Sequence, residues 1–143
     1  MAELVISKLD KIYRPSRKAP VHAVQSLDLT VKSGEIVALL GSSGCGKTST
    51  LRMIAGFEDV SGGSITVAGK AIHELPPSAR GVAMAFEAYS LYPPLTIGEN
   101  IAFALKSAKL PAAEVGAKVK AMAEMLEIST ILNKYPVSVS GGQ

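Results

Sequence analysis

Residues 36–56 read IVALLGSSGCGKTSTLRMIAG, and the fold turns on this stretch. Ile36 to Leu40 is a short, unbroken apolar run after a Ser33-Gly34 turn. Such a run predicts a strand buried on both faces, as in a parallel sheet. Gly41, Ser42, Ser43, Gly44, Cys45, Gly46, Lys47 and Thr48 then match G-x-x-x-x-G-K-[ST] in every fixed position. Glycines let the backbone curl so that successive N–H groups face one cluster of phosphate oxygens. The helix that follows, from Ser49 onward, adds its positive end. Lys47 sets a charge between β- and γ-phosphates, and the Thr48 hydroxyl is a hard oxygen ligand for Mg²⁺. Cys45 reads as a small filler of the loop. Beside Lys47 and a helix N-terminus its thiolate is favoured, which predicts sensitivity to alkylation.

On the N-terminal side, residues 3–9 and 26–31 alternate apolar and polar side chains, with Leu27, Leu29 and Val31 against Ser26, Asp28 and Thr30. That is the period of half-buried strands. On the other side, Gly56 is placed to end the helix. Gly62-Gly63 reads as a turn before a short strand with Ile65 and Val67 on one face. VAMAF at 82–86 is a second buried apolar run, broken by Pro93-Pro94. Thr96 with Glu99 spells a capping box for a helix through IAFALK. Pro111 permits another helix, with Val115, Val119, Met122 and Leu126 on one core-facing side at helical spacing. The fold class is therefore α/β: a P-loop core with an N-terminal antiparallel β subdomain and the start of a helical subdomain. Its expected lobes are residues 1–90 and 91–143.

Composition sets outer bounds. The 143 residues are 48% hydrophobic and 19% charged, which is globular composition. No apolar run approaches the roughly 18 residues of a membrane-spanning helix, and the N-terminus lacks a signal peptide's continuous apolar stretch. A soluble, unexported chain is expected. One cysteine excludes an internal disulfide and suits a reducing cytoplasm. The net charge is +3, and the basic stretch Arg14 to Lys18 reads as a solvated loop. Without a longer basic stripe or interleaved aromatics, nucleic-acid binding is not expected.

A phosphate loop alone leaves kinases, GTPases and ATPases open. Three longer stretches narrow the choice. GEIVALLGSSGCGKTSTLRMIAGFEDVSGGSITVAGK resembles the ATP-binding cassette (ABC) subunits of transporters. FEAYSLYPPLTIGENIAFAL at 86–105 resembles their Q-loop region, especially in bacterial carbohydrate importers. Val139-Ser140-Gly141-Gly142-Gln143 resembles the LSGGQ signature, with valine for leucine. The resemblance implies that Tyr13 stacks on adenine, which suits a flat apolar base. It also implies that Ser140, Gly141, Gly142 and Gln143 contact ATP held by a second ATP-binding subunit. Each nucleotide would be sandwiched in a dimer on the cytoplasmic, inner face of the plasma membrane. Transmembrane permease subunits would lean beside the Q-loop, with a solute-binding protein acting indirectly. The implied function is ATP-driven solute import, of sugars or related polar solutes.

Two departures from the family pattern carry weight. Glu87 stands where glutamine is usual; a carboxylate ligates Mg²⁺ more strongly but cannot donate a hydrogen bond. Glu87 is thus expected to coordinate metal. The sequence also stops at Gln143, inside the signature, before the acidic strand motif and histidine switch of a hydrolytic cassette. His22 and His73 lie upstream and match neither. The expectation is a truncated cassette that contains no catalytic residue, leaves apolar sheet edges open and hydrolyses ATP poorly. The alternatives are a defective ATP-binding fragment, an ABC ATPase without a transporter, and a small P-loop kinase.

Overall fold

The computed structural model describes residues 2–86 and 90–143 and divides into two compact units, Met1–Met84 and Ala85–Gln143. In the first unit, β1 (Leu4–Tyr13), β2 (Val21–Val31), β3 (Gly62–Val67) and β4 (Lys70–Ala71) form one antiparallel sheet in the order β2-β1-β3-β4. Helix α1 (Lys47–Ala55) buries Thr50, Met53 and Ala55. Ile6, Leu9, Val24, Met53, Ile65 and Ile72 make the core. Full burial of side chains such as Ile6, Leu9, Met53 and Ile65 contributes roughly 1.5–3 kcal/mol each.

The two long strands do not alternate simply. Leu4 and Ile6 pair with Val31 and Leu29, after which three residues of β1 advance against two of β2 to bring Leu9 opposite Leu27. The extra residue is a bulge at Ser7-Lys8, with Lys8 at φ 47°. Beyond it β2 has a compensating bulge at Gln25-Ser26, with Ser26 at φ 42°, so that Lys11 meets Val24. Each bulge frees a backbone N–H, and each is satisfied from the opposite strand. Lys8 N–H donates to Asp28 Oδ1 at 2.8 Å, and Ser26 N–H donates to Asp10 Oδ1 at 3.0 Å. The first bulge switches parity: Leu4 and Ile6, then Leu9, Lys11 and Tyr13, share the inner face.

Asp10 makes this arrangement sensitive to acid. The Ser26 N–H and the His22 ring, at 3.0 Å, hold its carboxyl below the usual carboxylate range. A depressed folded-state pKa gives stability that is fully present above about pH 4 and is lost as pH falls through the depressed value. In Asp10→Asn, the difference between melting temperatures at pH 6 and pH 3 is expected to narrow. Thermal melts followed by circular dichroism check this, and an unchanged difference would contradict it.

Several sequence expectations need correction. Residues 36–40 form no strand; Ile36 is 96% and Leu40 90% exposed. An extended run needs a neighbour for its N–H and C=O groups, and among the described residues the four strands of the sheet pair only with one another. Residues 82–86 likewise form no strand. Gly62 and Gly63 lie inside β3 and not in a turn. Gly63 sits opposite the β1 bulge at φ 80°, where a Cβ would collide with the Lys8 carbonyl. Gly56 does close α1, in the left-handed conformation.

In the second unit, α2 (Ile97–Ser107) starts at the expected capping box. Glu99 N–H donates to Thr96 Oγ1, and Thr96 N–H donates to Glu99 Oε2 at 2.8 Å. Helix α3 (Ala112–Met125) follows Pro111. Its inward side carries the buried Val115 and Ala123 and the half-buried Val119, whereas Met122 and Leu126 are 41% and 55% exposed. A four-residue step of smaller side chains is therefore the side turned from solvent, and the longer apolar groups are not. Asn100 ties the Pro93-Pro94 segment to α2, its side chain accepting from Tyr92 N–H and donating to Leu95 O and Thr96 O. Among the described residues no helix is long and apolar enough to cross a membrane.

Candidate functional site

The glycine loop connects the exposed run 36–40 to α1, and its shape follows from where it must rest. Gly46 caps α1 at φ 91°, and a Cβ there would collide with the Ala23 carbonyl and reach within 2.9 Å of Val24 Cγ2. The loop is thus seated directly on the β2 backbone. Thr50, 3% exposed, locks the seat: its N–H and its hydroxyl both donate to Gly46 O, at 2.8 and 3.0 Å.

No side chain caps the N-terminus of α1, and its first turn carries no acidic residue. The first N–H groups of a helix have no intrahelical acceptor, and the helix dipole adds positive potential there. Lys47 brings a full charge to the same place. Its ammonium donates to Gly41 O at 2.8 Å and Ser42 O at 2.7 Å, and lies 3.5 Å from Cys45 Sγ. Thr48 and Cys45 are exposed. The uncapped, acid-free first turn and the Lys47 charge both favour an anion at this helix end.

A cleft of about 610 Å³ opens beside it, lined by Tyr13, Val21, Ser43, Gly44, Lys47 and Thr48 among others. The structure therefore brings Tyr13, from the far end of β1, to the glycine loop. The Tyr13 hydroxyl lies 3.0 Å from Ser49 Oγ on the first turn of α1. Of the residues singled out in the sequence, Tyr13 and the whole run Gly41 to Ser49 come together in this one unit. Glu87 lies outside the described residues. Ser140, Gly141, Gly142 and Gln143 line a separate cleft of about 620 Å³ in the second unit, with Leu91, Ile97 and Val139. There Ser140 N–H donates to Gln143 Oε1 and Gln143 N–H to Ser140 O, both at 3.0 Å.

Two residues that shape the site were missed by sequence reasoning. Lys11 lies under the Tyr13 ring, its ammonium 4.8 Å from the centroid. It donates to Asp59 O at 2.7 Å and pairs with Glu58 at 2.9 Å, which holds the Glu58 carboxyl below its ordinary range. The signal was a lysine two residues before Tyr13 on the same strand face, hidden by the parity switch. Arg80 is 5% exposed and donates to Leu75 O, Met53 O, Ile54 O and His73 O at 2.7, 2.6, 3.2 and 2.9 Å. It thereby caps the last turn of α1, and no short motif in the sequence marks it. Burial pulls its guanidinium below the ordinary value, with Asp59 opposing, yet arginine stays charged near neutral pH.

A sheet that carries a glycine loop and a lysine-led helix is the architecture of an α/β P-loop nucleotide-binding domain. The solved dimeric structure of an ATP-binding cassette in a post-hydrolysis state, bound to ADP and Pi, matches it with a TM-score of 0.84 at 23% identity. That match covers 98% of this chain and 64% of the solved one. The sequence profile described as ABC transporter matches residues 24–143, and the chain belongs to that family. The spermidine/putrescine import ATP-binding protein PotA of Thermobifida fusca is 45% identical over 138 residues, covering 96% of this chain and 36% of that protein. The trehalose import ATP-binding protein SugC of Mycobacterium tuberculosis is 43% identical over 143 residues, covering 100% and 35%. The chain thus spans about a third of the length of the curated relatives it matches.

Proposed function

We propose that this chain is the ATP-binding part of a solute importer, holding Mg-ATP between the Gly41–Thr48 loop and Tyr13. The observation that carries the reading is the uncapped, acid-free start of α1 with Lys47 at its mouth. The triphosphate would lie on the loop and on the first N–H groups of α1, with Ser42, Ser43, Cys45 and Ser49 flanking it. The adenine would lie against Tyr13. A divalent cation would bind the Thr48 hydroxyl together with phosphate oxygens, and Glu87 is a second candidate ligand. Among the described residues no three His, Cys, Asp or Glu side chains converge as a metal cage. When bound, the ion would neutralise phosphate charge.

The names of the relatives support import and leave the solute between sugars and polyamines. The working unit is proposed to be a dimer in which Ser140, Gly141, Gly142 and Gln143 approach the nucleotide on a second subunit. Residues 1–90 would form the nucleotide lobe and 91–143 the start of the helical lobe that meets transmembrane permease subunits on the cytoplasmic face of the membrane. ATP hydrolysis coupled to transport belongs to this reading for the whole protein.

Titration calorimetry with Mg-ATP on the parent chain and on Lys47→Ala tests the site. Replacing a charged donor to phosphate costs about 1.5–3 kcal/mol, so a loss of roughly 10- to 100-fold in affinity is expected. Equal affinities would overturn the placement of the triphosphate.

A further inference from the structure

Tyr13 has two faces, and one of them is already taken. Lys11 is 8% exposed, and its ammonium sits 4.8 Å from the ring centroid, fixed there by Glu58 and by the Asp59 carbonyl. The hydroxyl is fixed too, 3.0 Å from Ser49 on the helix that carries Lys47. The ring is therefore a clamped plate with a cation behind it, and a base can stack only on the opposite face.

The cation changes what that free face does. An aromatic face is electron-rich, so two stacked π-systems repel where their faces overlap. An ammonium held on the reverse face draws electron density toward itself, which weakens this repulsion and strengthens stacking on the open side. Lys11 and Tyr13 are two residues apart on β1 and share one side of that strand, although β2 advances an extra residue between the partners of Lys11 and Ile12.

We propose that Lys11 is a positioning residue for the nucleotide base, backing Tyr13 so that the chain favours base-bearing triphosphates over bare polyphosphate. This rests on the reading of Tyr13 as the base platform, and the test separates the two. Calorimetry on the full chain would compare Mg-ATP with Mg-tripolyphosphate for the parent, Lys11→Met, Lys11→Arg, Tyr13→Ala and the Lys11→Met/Tyr13→Ala pair.

The expected result is an approximately fivefold loss of ATP affinity in Lys11→Met with tripolyphosphate unchanged. Lys11→Arg should restore ATP binding, and Lys11→Met should add nothing once Tyr13 is alanine. A purely structural role would weaken both ligands together. If Glu58 without its partner unfolds Lys11→Met, the same comparison is made with Lys11→Met/Glu58→Gln, which leaves no unpaired charge. Parallel loss of both ligands, or no loss of ATP while Tyr13→Ala still loses it, overturns the proposal for Lys11. Unchanged ATP affinity in Tyr13→Ala overturns the base platform itself, and the proposal with it.

Discussion

Gly46→Ala is expected to destroy the phosphate loop while changing only one methyl group. Gly46 holds φ 91°, and a Cβ there would run into the Ala23 carbonyl and crowd Val24 Cγ2. Both obstacles belong to a strand locked in the sheet, so the loop must move and the strand cannot. Left-handed strain in a non-glycine residue costs about 1–3 kcal/mol before any collision is counted. Displacement of Gly46 also removes the shared acceptor for Thr50 N–H and Thr50 Oγ1. Mg-ATP affinity should fall by more than about 100-fold, at roughly tenfold per 1.4 kcal/mol, and thermal stability should fall with it. Gly44→Ala is the control for strain alone. Gly44 has φ 84° but nothing within 4 Å of a built Cβ, so its melting temperature should drop far less. Equal melting temperatures for the two variants would show that the β2 contact does not seat the loop.

Arg80→Met should be the most destabilising change distant from the loop. Met53 O and Ile54 O belong to the last turn of α1, where carbonyls lack intrahelical donors and carry the negative end of the dipole. Arg80 supplies their donors and ties them to Leu75 O and His73 O. Methionine fills similar volume but leaves these acceptors without their donors inside the protein. Each buried carbonyl left without its donor costs about 1–3 kcal/mol, so losing several together costs about 3 kcal/mol or more. For a small domain that is a fall in melting temperature of well over 10 °C, at about 4–8 °C per kcal/mol. Denaturant unfolding of Arg80→Met and Arg80→Lys checks the account. Lysine keeps the charge but cannot fork to four carbonyls, so it should recover less than half of the loss. Full recovery by lysine would mean that charge alone, and not the fork, holds the helix end.

The legible part of the site was the part written in consecutive residues. Gly41 to Thr48 announces itself because a phosphate cradle is made from one loop's own backbone, so spacing alone encodes it. The capping box at Thr96 and Glu99 was legible for the same reason, as its hydrogen bonds span three residues. Stripes were read less well. Met122 and Leu126 have the spacing of a core face, but the side turned from solvent is the smaller Val115–Val119–Ala123 one. Ile36 to Leu40 has the composition of a buried strand, and composition cannot supply a strand's hydrogen-bonding neighbours.

The sequence by itself determined that a glycine loop of the phosphate-cradle pattern lies between Leu40 and a helix, that Gly56 ends that helix, and which family the chain resembles. Each depends on local backbone conformations that a few adjacent residues dictate. Only the tertiary structure decided that Tyr13 reaches the cleft beside the glycine loop, with Lys11 packed against its ring. Ile6 faces inward, and strict alternation would carry even-numbered residues along that face and turn Tyr13 away. The bulge at Ser7-Lys8 reverses the parity, and it persists because Asp28 and Gly63, distant in sequence, accept its freed N–H and accommodate its carbonyl. A side chain's face on a strand is a sum over every residue between it and the sheet's anchor, so one unpaired residue stabilised from elsewhere decides it.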